Sequence, residues 1–132
     1  MSLEKVTIVN ESWIIGMRRV DKIVAQEEAQ GYQAWPNNKY SSLPDILVFD
    51  PDLNILLGQS YDALIRVYEV TNYGSPDEYV PTERAKGYRD KLLKFRAHKI
   101  FVCSFEENLR YVGGRSFFEQ EGIEVQIMGY QD

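Results

Sequence analysis

Apolar residues recur at helical spacing near the start of the chain. Trp13, Met17, Val20 and Val24 form one stripe, which predicts a helix over roughly Asn10 to Gln30 that Gly31 ends. Val6 to Val9 read either as a short strand or as an earlier turn of that helix. Tyr32 to Trp35 reads as a short strand and Pro36 to Leu43 as a polar loop. Ile46-Leu47-Val48-Phe49 is a continuous apolar run, as expected of a strand covered on both faces. Asp50 to Asn54 has the composition of a turn, and Ile55 to Leu57 is expected to return as a strand. Ala63 to Thr71 predicts a stronger strand, with Ile65, Val67 and Val70 in its body.

Ser75-Pro76-Asp77-Glu78 carries the signals of a short helical turn, which Pro81 interrupts. An amphipathic helix is predicted over Thr82 to Phe95, its apolar side being Ala85, Tyr88, Leu92 and Phe95. Gly87 inside it costs about 1 kcal/mol relative to alanine, which suggests a packing reason. Ile100 to Phe105 is a further apolar strand, and Ser104 to Glu107 reads as a capping box opening a helix. Gly113-Gly114 breaks that helix and Gly122 ends it. Ile123, Val125 and Ile127 then alternate with polar residues, as on an edge strand. The order predicts an α/β fold in which helices flank a mixed central β-sheet, with residues 1–132 as a single domain.

The composition is that of a globular chain, with 44% hydrophobic and 27% charged residues. No apolar run is long enough to span a membrane, and the N-terminus lacks a secretory pattern. Cys103 is the lone cysteine and cannot form an internal disulfide, which fits a cytoplasmic protein. A net charge of −5 argues against a general nucleic-acid coat protein. Arg84 to Lys99 is nonetheless strongly basic, as either a solvated helix face or a phosphate-binding one. His98 is the only histidine, which excludes multi-histidine metal sites.

The informative constellation is Pro44-Asp45-Ile46-Leu47-Val48 with Val67-Tyr68-Glu69-Val70-Thr71. Each segment sets one acid among strand residues, where an unpaired carboxylate carries a desolvation penalty of several kcal/mol. Two such acids brought together repel unless a divalent cation lies between them, and Mg²⁺ accepts one or two carboxylates. On composition alone, Asp45 as a turn cap and Glu69 with a basic partner is an equal reading.

The order of elements around this pair resembles the PD-(D/E)XK nuclease superfamily, the fold of many restriction endonucleases and archaeal Holliday-junction resolvases. The resemblance spans roughly residues 10 to 130 and rests on element order and the two acids. It implies a restriction endonuclease-like fold and metal-dependent DNA cleavage, with Mg (or Mn) held by Asp45 and Glu69. The gap between them makes residues 50 to 62 an insertion, and Pro51-Asp52 is a second match in a turn. Thr71 stands where the family has a lysine, and in several families that lysine has moved to the following helix. Lys86 is the matching candidate there, with Lys91 and Arg66 as weaker ones. Asp21 from the first helix is the candidate third metal acid, with Glu11 as an alternative. The resemblance implies DNA as partner and accommodates a homodimer. Loss of the lysine at 71 leaves a second reading, a catalytically silent nuclease-like fold that binds DNA or protein.

Overall fold

The computed structural model describes residues 11–37, 39–56 and 61–129, and Val6 to Val9 lie outside them. Helix α1 spans Glu11–Ala29, and β1 (Gln33–Pro36) and β2 (Ile46–Phe49) follow. The short helix α2 (Pro51–Leu56) and a 3₁₀ turn at Tyr61–Ala63 lead into β3 (Leu64–Val70). Then come α3 (Thr82–Leu93), β4 (His98–Cys103), a 3₁₀ helix (Glu106–Val112), α4 (Ser116–Glu119) and β5 (Ile123–Ile127). The fold is α/β, with one five-stranded mixed sheet in the order β1-β2-β3-β4-β5. The β1–β2 and β2–β3 pairs are antiparallel, and β3–β4 and β4–β5 are parallel. Parallel neighbours need crossovers, and here α3 and the segment ending in α4 supply them.

Alternation along the strands divides the core in two. One side holds Leu47, Phe49, Val67, Phe101, Cys103 and Val125, covered by Ala85 and Leu92 of α3, Leu109 and Phe118. The other holds Ile46, Val48, Tyr68, Ile100 and Val102, covered by α1 through Ile23. The three expected central strands are therefore neighbours, with β2 buried throughout.

Three local expectations change. Ile55 and Leu56 belong to α2 and not to a strand, while Leu57 lies outside the described residues. The cause is Asp50, whose Oδ1 accepts the Asp52 and Leu53 N–H groups at 2.9 and 3.0 Å. An aspartate cap followed by proline starts a helix. The capping residue after β4 is Asn108, whose Oδ1 accepts the Phe105 N–H at 2.9 Å, and not the expected Ser104–Glu107 pair. On α1 the inward residues are Arg19, Ile23 and Glu27 with Val20 and Val24 beside them, whereas Met17 is exposed.

Gly87 has no packing reason, because a methyl group built on it meets nothing within 4 Å. Its substitution Gly87→Ala is expected to raise stability by about 0.5–1 kcal/mol, read by urea denaturation. A loss of stability would show that α3 needs the glycine.

Candidate functional site

In the β2–β3 register Ile46 lies opposite Tyr68 and Leu47 opposite Val67. Carried one residue further, this sets Asp45 beside Glu69. Residues two apart share a face, so both acids lie on the side of Leu47 and Val67, beneath α3. Each carboxylate holds the other's strand: Val70 N–H donates to Asp45 Oδ2 at 2.8 Å, and Asp45 N–H donates to Glu69 Oε1 at 3.2 Å. Asp45 is more than a turn cap, while Glu69 has a basic partner, Lys91. The two acids form a clasp across the mouth of the β2–β3 ladder.

Lys91 completes the cluster. Its neighbour Leu92 anchors α3 in the core, and Nζ lies 2.6 Å from Glu69 Oε2. The lysine side chain is 20% exposed and that of Glu69 only 2%. Burial raises the Glu69 pKa to about 8, and the Asp45 charge adds to the rise while Lys91 opposes it. Tyr88 also borders the cluster, and the Lys91 ammonium is 5.9 Å from its ring centre. Burial pushes the Tyr88 hydroxyl up to about 12, with Tyr73 nearby contributing.

The other sequence candidates lie elsewhere. Lys86, 46% exposed, pairs with Glu83 at 3.4 Å. Of the two α3 lysines considered, it is Lys91, the weaker candidate five residues on, that reaches Glu69. Asp21 is exposed on α1, the helix covering the opposite sheet face, so the structure does not bring the expected third acid to the pair. Glu11 begins α1, and its side chain lies outside the description. Asp52 is exposed in the first turn of α2. Thr71 is buried and its hydroxyl donates to the Val102 carbonyl at 2.8 Å, tying the end of β3 to β4. A lysine there would lose that bond and place a charge in the core.

Arg66 turns to the α1 side and makes a bidentate pair with Glu27, both bonds 2.7 Å, while Tyr68 donates to the same carboxylate at 2.6 Å. Burial works against the Glu27 charge, but the bonds from Arg66 and Tyr68 outweigh it and hold the carboxyl below its ordinary range. Arg19, also buried, donates to the carbonyls of Thr71 (2.6 Å) and Gly129. The sequence names Arg66 only as a weaker candidate for the missing lysine, and neither Glu27 nor Arg19 was expected in such a role. Glu27 did leave a signal, since it lies four residues after Ile23 on the inward stripe of α1.

The residue set fits a divalent cation by its donor chemistry: two carboxylates on adjacent strands, one buried where its charge is unfavourable. Among the described residues no three His, Cys, Asp or Glu side chains gather as a metal group. An ion here would take two protein carboxylates and complete its shell with water or substrate oxygens, a common Mg²⁺ arrangement. No helix among the described residues is long and apolar enough to cross a membrane. No family model, curated protein or solved structure matches the chain.

Proposed function

We propose that this chain is a metal-dependent DNA phosphodiesterase of the PD-(D/E)XK type, with a restriction endonuclease-like fold. The observation that carries the reading is the convergence of Asp45, Glu69 and Lys91 on one sheet face. The element order and the sheet, antiparallel at β1–β3 and parallel at β3–β5, support the fold subtype. Asp45 and Glu69 would hold Mg²⁺ or Mn²⁺, which when bound polarises the phosphodiester and lowers the pKa of a coordinated water. The buried Glu69 resists ionisation in the bare protein, so the cation and the carboxylate favour one another. Lys91 supplies the positive charge that Thr71 cannot, opposing the negative charge that two acids and a phosphate concentrate there. Lys94 and Arg96, exposed at the end of α3, offer contacts to the DNA backbone.

The test is nicking or linearisation of supercoiled plasmid with Mg²⁺ or Mn²⁺, against EDTA and against Asp45→Ala. Cleavage that needs the ion and falls to background in Asp45→Ala supports the enzyme. The silent binding module is favoured by the direct Lys91–Glu69 contact at 2.6 Å, which occupies the Glu69 carboxyl without a metal. Tight DNA binding with no cleavage under either ion would establish that second reading and overturn the first.

A further inference from the structure

The residues leading into Asp45 line a half-open pocket of about 300 Å³ on the same side of the molecule as the acid pair. Trp35 lies opposite Leu47 in the β1–β2 register, and Leu47 is two residues beyond Asp45. Directly opposed residues share a face, so Trp35, Leu47, Asp45 and Glu69 all present to one side. Trp35, Tyr40, Leu43 and Leu47 supply mainly apolar walls, and Lys39 stands at the rim. Trp35 is 46% exposed and Tyr40 61%, large aromatic surfaces that the core does not use. Phe49 packs against the indole with ring centres 4.8 Å apart and the planes tilted by 49°, which helps to hold it in place.

The loop that forms the other wall is held in place. The Asn37 amide donates to the carbonyls of Tyr40, Leu43 and Pro44 at 2.8, 3.2 and 3.1 Å. Its oxygen accepts the Lys39 and Tyr40 N–H groups at 3.2 and 3.0 Å. The Asn37 N–H donates to the Asp45 carbonyl at 2.7 Å, so this wall is tied to the acid pair itself.

Resting on the phosphodiesterase reading, we propose that this cavity is a stacking subsite for one unpaired nucleobase, making single-stranded or frayed DNA the substrate. The volume lies at the small end of ligand pockets, which run from roughly 300 to 1,000 Å³, and suits one ring system. An exposed aromatic plane accepts any base, because every base has a π-face. Bases within a duplex cover those faces with one another, so only an unstacked base can enter. Asp45 directly precedes β2 and Leu47 is the second residue of that strand, so the pocket begins within a few residues of the acids.

The test is fluorescence anisotropy in EDTA with a labelled oligothymidine of about 12 nucleotides and with a blunt hairpin duplex. Wild type is expected to prefer the single strand. Trp35→Ala and Tyr40→Ala are expected to weaken it roughly 10- to 100-fold without affecting the hairpin, while Trp35→Phe stays near wild type. Tyr40 lies in an exposed loop, so its variant remains informative should Trp35→Ala disturb the β1 edge. Equal affinity for strand and hairpin, or unchanged binding in both alanine variants, overturns the subsite. Metal-dependent plasmid cleavage alongside that result leaves the phosphodiesterase standing without it. Single-strand binding that depends on Trp35 and Tyr40, in a protein that cleaves nothing, upholds the base subsite and removes the phosphodiesterase.

Discussion

Lys91→Ala is expected to lower metal-dependent cleavage by about 100- to 1,000-fold, the usual cost of removing one preorganised charge from a reacting centre. DNA affinity measured without metal should change little, because Lys91 points into the clasp and contributes little to the outer face. Lys86→Ala should cleave within about twofold of wild type, since exposed charges on a helix carry small effects. The pH profile separates a chemical role from a structural one. Lys91 opposes the rise in the Glu69 pKa, so its loss raises that pKa further and moves the rise in activity to higher pH. Lys91→Arg is expected to restore the position of the profile and only part of the rate, because a planar guanidinium replaces a compact ammonium. Loss of cleavage in Lys86→Ala with full activity in Lys91→Ala would overturn the assignment.

The two acids were legible because Asp45 stands directly before, and Glu69 within, a strongly apolar strand segment. Burial on both faces leaves a strong pattern in sequence, and β2, β3 and β4 were found from it. The choice between Lys86 and Lys91 was not legible. Each lysine follows or precedes a buried residue, Ala85 or Leu92, so helical phase alone does not decide between them. What decides is how far the connection 71–81 carries the start of α3. That distance is set by tertiary bonds, among them Val80 N–H to the Asn108 carbonyl at 2.8 Å and Asn108 amide bonds to Ser75 and Glu78. The α2 segment was misread for a local reason: Asp50-Pro51 serves as readily to cap a helix as to make a turn. Arg66, a weaker candidate for the missing lysine, is sent by strand alternation to the face opposite Glu69, where Glu27 holds it.

The acid pair should also govern how stability varies with pH. Glu69 has a folded pKa of about 8 against an ordinary value of 4.5. Below about pH 4.5 the group is protonated in both folded and unfolded chains, and its contribution to stability is fully present. Between 4.5 and 8 the unfolded chain releases the proton that the folded chain keeps, so this contribution is lost as pH rises. Above the folded pKa no further loss follows. At the scale of about 1.4 kcal/mol per pKa unit the total is a few kcal/mol, large against the stability of a domain this size. Glu27 has the opposite sign: its pKa is held low by Arg66 and Tyr68, so its contribution is present at neutral pH and lost in acid. A comparison with Glu69→Gln isolates the first group from the second, because Gln keeps the shape and cannot ionise. The stability of wild type relative to Glu69→Gln is expected to fall by a few kcal/mol between about pH 5 and pH 8.5, read by urea denaturation at each pH. Near pH 8 in wild type, millimolar Mg²⁺ should recover part of the loss and release a proton, and in Glu69→Gln it should do much less. A difference between the two proteins that stays flat across this range would mean that Glu69 is ionised throughout, held by Lys91 alone.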